Sequence, residues 1–171
     1  GIPVMMLLAL YLSLYTGLFA AGAAFFRNRG IPVVAAAPLL WTVLEYAKST
    51  LLTGFPWENL GHSQYLNLPL IQIADVAGSY GVSFLVVLVN AALAAFVGAG
   101  RDGRRRAFVG LAAAGLLLAL AGGYGTWRLA DVAARFDPVP EQTVALIQGN
   151  IDQSIKWDPS FQKETLRIYR D

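Results

Sequence analysis

Glu45 and Lys48 stand three residues apart inside an otherwise apolar run of this 171-residue chain, a spacing that sets both on one helical face. Charges inside a membrane span are costly, so such a pair faces a bundle interior, a water-filled cavity or the headgroup layer. Counted back from Gly54, Lys48 is about six residues from the end of the run, roughly 9 Å at 1.5 Å per residue, so its ammonium can snorkel to the headgroups. Two readings stand side by side: an ion pair that only holds structure, or two groups that meet a polar substrate. The next segment, Thr53-Gly54-Phe55-Pro56-Trp57-Glu58-Asn59-Leu60-Gly61-His62-Ser63-Gln64-Tyr65, is rich in aromatic, Pro and Gly residues and suits a loop lying at a lipid headgroup layer. It reads either as one wall of an outward-facing, lipid-side cavity or as a loop simply anchored by Trp57 and Tyr65. His62 is the single histidine and the chain has no cysteine, so no metal site of histidine partners or thiolates and no cysteine nucleophile is found in these residues.

These residues sit between elements that the hydropathy defines. Apolar stretches at 2–26, 31–52, 82–99 and 107–127 each come near the ~20 residues that cross a bilayer's hydrocarbon. With 56% hydrophobic and 14% charged residues, the composition is too apolar for an ordinary soluble domain. The expected class is an α-helical polytopic membrane protein with four transmembrane helices. Six of the 13 Lys and Arg fall in two short loops, Arg27-Asn28-Arg29-Gly30 and Arg101-Asp102-Gly103-Arg104-Arg105-Arg106. The positive-inside rule puts both in the cytoplasm, which excludes nucleic acid as the reason for the basic residues. Two spans separate the loops, so the assignment is self-consistent; residues 54–81 and everything after Trp127 then face outward. A stretch from Leu66 to Val76, broken by Pro69, Gln72 and Asp75, is too short and polar to span, and lies along or dips into the surface.

Small residues at Ser13, Gly17 and Ala21, and at Gly110 and Ala114, form rows along which helices can approach closely. Gly122-Gly123-Tyr124-Gly125-Thr126-Trp127 reads as the loosened end of the fourth span. Residues 128–142 read as a linker, because Asp137-Pro138-Val139-Pro140 cannot continue a helix. Thr143–Gln148 is a β-branched and apolar run ended by Gly149-Asn150, the pattern of a strand buried on both faces. Asp158-Pro159 then reads as the N-cap and first residue of a helix with Phe161, Thr165, Ile168 and Tyr169 on one face. One strand and one helix make no core, the chain begins apolar without an initiator Met, and this last helix runs into Asp171; the expectation is a piece of a longer protein.

The run Tyr11-Leu12-Ser13-Leu14-Tyr15-Thr16-Gly17-Leu18-Phe19, then Trp41 to Glu45, then Thr53-Gly54-Phe55-Pro56-Trp57 with Gly61 and Ser63-Gln64, resembles bacterial apolipoprotein N-acyltransferases. Gln148-Gly149-Asn150-Ile151 and Gln153-Ser154-Ile155-Lys156-Trp157-Asp158 look like the first strand and following loop of that family's nitrilase-like αββα domain. The resemblance implies a bacterial inner-membrane enzyme whose C-terminal segment, residues 143–171 here, begins a periplasmic catalytic domain. Such an enzyme moves a fatty acyl chain from a phospholipid to the α-amine of a diacylglyceryl apolipoprotein, through a thioester and without a cofactor. The family's Glu–Lys–Cys triad uses glutamate as base, cysteine as nucleophile and lysine at the oxyanion. No residue here matches that triad, and the expectation is that these 171 residues alone are inert. Glu45, Lys48, Trp57, Glu58 and Tyr65 are the candidate substrate-binding residues. At position 48 the family often carries arginine, and lysine keeps the charge without the bidentate fork. Two other classes stay open: a non-catalytic lipid-binding or assembly module, and a transporter component with Asn90 and the Glu45–Lys48 pair on its pathway. Asn90 also reads as an interhelical hydrogen-bonding residue.

Overall fold

The structure, a computed structural model, describes residues 1–136 and 143–170. The chain divides into two compact units, residues 1–135 and 136–171. In the first, helices α1 (Ile2–Asn28), α2 (Val33–Thr50), α4 (Ala74–Val97) and α5 (Arg104–Phe136) are the long elements; α3 (Leu68–Ile71) is a single turn. In the second, α6 (Gln162–Arg170) follows a 3₁₀ turn at Pro159–Phe161.

Helix α4 is central. One of its faces buries Leu85, Leu88 and Ala92 with Ala114 and Ala121 of α5 and Leu70 of α3. Another sets Val87 and Ala91 on Ala37 of α2, with Phe19, Trp41 and Leu60 packed around them. Alanines at these contacts let backbones approach closely, which matters where dispersion packing holds helices together and lipid supplies no hydrophobic drive. Gly110 serves the same end, with the side chain of Val34 3.3 Å from where its Cβ would be. Along α1, by contrast, Ser13, Gly17 and Ala21 are exposed and nothing lies within 4 Å of Gly17's missing Cβ. Of the two glycines within α1, Gly22 does receive a neighbour, the side chain of Leu40.

The structure bears on several expectations. Among the described residues three helices, α1, α4 and residues 104–135 of α5, are long and apolar enough to cross a membrane, and the remaining expected span, at α2, is not among them. Helix α2 covers most of its expected stretch, but its 18 residues include Pro38, Glu45, Lys48 and four hydroxyl-bearing or aromatic polar side chains near its C-terminal half, which lower its apolarity. Its Pro38 is buried and the Thr42 hydroxyl donates to the Pro38 carbonyl at 2.8 Å. The third span starts at Ala74, not Val82, by incorporating Gly78 at a backbone kink with φ +61°, a value open to glycine. The fourth does not loosen at Gly122–Trp127. It runs on to Phe136, because Asp131 pairs with Arg128 at 2.8 Å and with Arg135 at 2.9 Å along one face of the helix.

No strand occurs among the described residues: Thr143–Gln148 has no regular secondary structure. A strand is stabilised by its ladder of backbone hydrogen bonds to a neighbour, and no strand among the described residues pairs with this run. Of the strand and helix expected in residues 143–171, the described residues contain the helix. The Pro-rich stretch expected to break the chain lies outside the described residues. Asp158 does cap the following helix: its Oδ1 accepts from the Ser160 backbone N–H at 2.9 Å and hydroxyl at 2.7 Å.

Candidate functional site

A cavity of about 160 Å³ opens between α1, α2 and the loop that follows α2. Leu12, Tyr15 and Thr16 come from α1, Trp41, Leu44, Glu45 and Lys48 from α2, and Trp57 and Glu58 from the loop. Positions 41, 44, 45 and 48 recur at helical spacing, so a single face of α2 supplies them all. Four of the five candidates chosen from sequence are thereby brought together. Tyr65 is not among them; it is 67% exposed and lies on the far side of the 3₁₀ turn Leu60–Gln64.

Glu45 and Lys48 do not form the ion pair that their spacing allowed. Glu45 is 4% exposed, and its Oε1 accepts from the Leu60 backbone N–H at 2.6 Å and from Trp41 Nε1 at 3.3 Å. Lys48 Nζ donates instead to the Trp57 carbonyl at 3.0 Å. Both charged groups have been turned to the loop backbone, whose unpaired N–H and C=O groups are the stronger need in a dry setting. A third side chain joins them from α4: the fully buried Ser83 accepts through Oγ from the Gly61 N–H at 2.8 Å. Gly61 is tight against α4, and a Cβ there would meet the Ser79 carbonyl at 2.5 Å.

Three tethers therefore fix the loop from Trp57 to Gly61 beside the cavity. Between them Glu58 sits at φ +55°, a left-handed conformation that costs a residue with a side chain of order 1 kcal/mol or more. The strain is held where the tethers are densest. Two buried oxygens in this corner, Glu45 Oε2 and Asn59 Oδ1, have no hydrogen-bond partner.

Sequence reasoning missed Tyr15, Thr16, Trp41 and Ser83. Trp41 had a signal, being four residues before Glu45 on the same face, and Tyr15 had one in Tyr11, with which it shares a 2.8 Å hydroxyl contact. Ser83 had none, since its partner is 22 residues away and lies in a loop. His62 is exposed and outside the cavity. Among the described residues no group of His, Cys, Asp and Glu is arranged to hold a metal ion. Asn90 makes no interhelical bond; its Nδ2 donates to the Val86 carbonyl of its own helix at 2.8 Å.

A helical bundle with an open pocket that gathers Glu45, Lys48 and Glu58 beside an aromatic-rich loop defines the class to which known proteins can be compared. Residues 1–92 match the model of the apolipoprotein N-acyltransferase N-terminal domain. Apolipoprotein N-acyltransferases of Geobacter metallireducens, Chromobacterium violaceum and Shewanella oneidensis are 44%, 38% and 35% identical to the chain over 99%, 98% and 100% of its length. The chain spans about a third of those relatives, 31–32% of each. It belongs to the apolipoprotein N-acyltransferase family.

Proposed function

We propose that this chain is the membrane portion of an enzyme that moves an acyl chain from a phospholipid to the α-amine of a diacylglyceryl apolipoprotein, and that the cavity holds part of one lipid substrate. The observation that carries this reading is the gathering of Glu45, Lys48, Trp57 and Glu58 around one pocket, inside a region matched by the family's own domain. Polar groups at the end of an otherwise apolar bundle suit a molecule with a charged head and apolar tails. Tyr65, exposed and beyond the pocket, is retained as a contact for lipid headgroups at the interface.

In this reading the protein resides in a bacterial inner membrane with four spans in this region. Helix α2 crosses as the fourth, its charged groups turned inward, and residues 54–73 and 143–171 face the periplasm. The basic loops after α1 and α4 are cytoplasmic. The acyl chain passes through a thioester on a cysteine, with glutamate as base and lysine stabilising the oxyanion, and no cofactor takes part. This chain has no cysteine, so that step belongs to residues of the longer protein. Residues 143–171 begin the catalytic domain, following the linker.

The experiment is acyl transfer by the full-length protein in detergent, from a fluorescent phospholipid to a diacylglyceryl lipopeptide. Transfer by the full protein and none by residues 1–171 supports the reading. No transfer by the full protein, or transfer by residues 1–171 alone, overturns it.

A further inference from the structure

The cavity's polar wall has an imbalance that the hydrogen-bonding pattern leaves open. Glu45 is buried, yet one of its two oxygens has no partner. The donors nearest in sequence are already committed: Lys48 to the Trp57 carbonyl, Trp41 Nε1 and the Leu60 N–H to Oε1. Asn59 Oδ1, also buried without a donor, belongs to a residue outside the cavity lining and is not part of this wall. Burying a carboxylate oxygen without a donor is costly, and the cost is removed when a cation with N–H groups supplies one.

The wall's charge favours the same ligand. Glu45 and Glu58 carry two negative charges against one positive charge on Lys48, leaving the cavity an excess of one negative charge. The remaining lining includes Tyr15, Trp41 and Trp57, whose ring faces attract a cation. A quaternary ammonium would satisfy the rings but has no N–H to offer the orphan Glu45 oxygen; a primary ammonium offers both the charge and the N–H.

We propose that Glu45 is the specificity-determining receptor for a primary ammonium group of a lipid substrate. The ammonium has two sources in the reaction proposed above, on which this inference rests: an ethanolamine headgroup on the acyl donor, or the free α-amine of the apolipoprotein acceptor.

The test uses the full-length protein and Glu45→Gln, which keeps an oxygen to accept from the Leu60 N–H and removes the charge. In one arm the donor is phosphatidylethanolamine, phosphatidylcholine or phosphatidylglycerol with a fixed lipopeptide; in the other the lipopeptide is varied with a fixed donor. A headgroup source gives a wild-type preference for the ethanolamine lipid, and a KM for it that rises at least tenfold in the variant while the other donors change less than twofold. An acceptor source gives a KM for lipopeptide that rises tenfold whichever donor is used. Unchanged KM values in both arms, or a uniform fall in kcat alone, overturn the proposal.

A measurement that needs no turnover separates this proposal from the functional reading. Glycerophosphoethanolamine should raise the melting temperature of the full-length wild-type protein, and glycerophosphocholine should not. Absence of that shift overturns an ethanolamine source, and equal shifts overturn ammonium selectivity. Where Glu45→Gln fails to fold, the same wild-type comparison, repeated with a diacylglyceryl peptide and its N-acetylated form, decides the matter. A wild-type shift without any acyl transfer leaves Glu45 as an ammonium receptor and removes the transferase reading.

Discussion

Ser83 shows how much a single side chain can fix when it is buried at a loop. Its hydroxyl oxygen is the acceptor for the Gly61 N–H, so Ser83→Ala leaves that donor buried without a partner. The expected cost is about 1–3 kcal/mol, read as a lower unfolding midpoint in detergent together with faster hydrogen exchange at the Gly61 amide. Unchanged exchange would show that the loop does not depend on this tether. Asp158 works at the other end of the chain. The Ser160 hydroxyl, with the Ser160 backbone N–H, holds its carboxyl below the usual carboxylate range. A lowered value means the cap contributes in full above the ordinary carboxylate value of about 4 and is lost as pH falls through the lower native value. Hydrogen exchange at the Ser160 amide should therefore be flat from neutral pH down to about 4, after correction for intrinsic rates. It should rise below that, and Asp158→Ala should show the raised protection factor loss already at neutral pH.

Elements of this bundle are set by where glycine permits contact rather than by where it loosens a helix. Gly125 of α5 lies against the backbone of Pro69, and a Cβ there would overlap the Pro69 carbonyl. Gly123, two residues earlier on the same helix, has nothing within 4 Å. The pair makes a controlled comparison. Gly125→Ala should push α5 from α3 and destabilise by about 1–3 kcal/mol, as overpacking does. Gly123→Ala should be neutral or gain about 0.5–1 kcal/mol of helix propensity. Unfolding in a denaturing-detergent titration reads both, and equal effects would show that the close approach is not limiting. Helix α5 has 33 residues, about 50 Å at 1.5 Å per residue, well beyond a hydrocarbon core of about 30 Å. Its last turns carry the Arg128, Asp131 and Arg135 network, and Arg128 also reaches Asp75 of α4 at 2.6 Å. Those charges require water or headgroups, so this end of α5 projects past the apolar layer.

For the whole molecule the decisive prediction is its orientation. These 171 residues have no cysteine, so single cysteines report topology without background once the nucleophilic cysteine proposed for the longer protein is replaced by serine. Asp102→Cys should react with an impermeant maleimide only after the cytoplasmic side is opened, and Asp152→Cys should react in intact spheroplasts. The reverse pattern would overturn the orientation proposed from the arginine loops. The exposed apolar surface of α1, where Ile2, Leu7, Leu10 and Leu14 are each more than half exposed, agrees with a surface that meets lipid tails or other helices rather than water.

Hydropathy, arginine placement and the Gly-Phe-Pro-Trp motif were enough to read the helical class, the family and four of the cavity residues from the sequence. Local physics governs those features: a run of apolar side chains spans or it does not, and residues three or four apart share a face whatever surrounds them. The end of the fourth span was misread, and the strand at Thr143–Gln148 and the partners of Glu45 and Lys48 were not settled by the sequence, for the opposite reason. A strand needs a neighbour to bond, a helix end depends on ion pairs and on contacts such as Gly125 with Pro69, and a charged side chain bonds to whichever backbone group the fold leaves without a partner. Glu45 turns to Leu60, Lys48 to Trp57 and Ser83 to Gly61 because packing α4 between α2 and α5 brings a loop with unsatisfied backbone groups against them. Spacing along the chain carries no record of that encounter, and only the tertiary structure decides it.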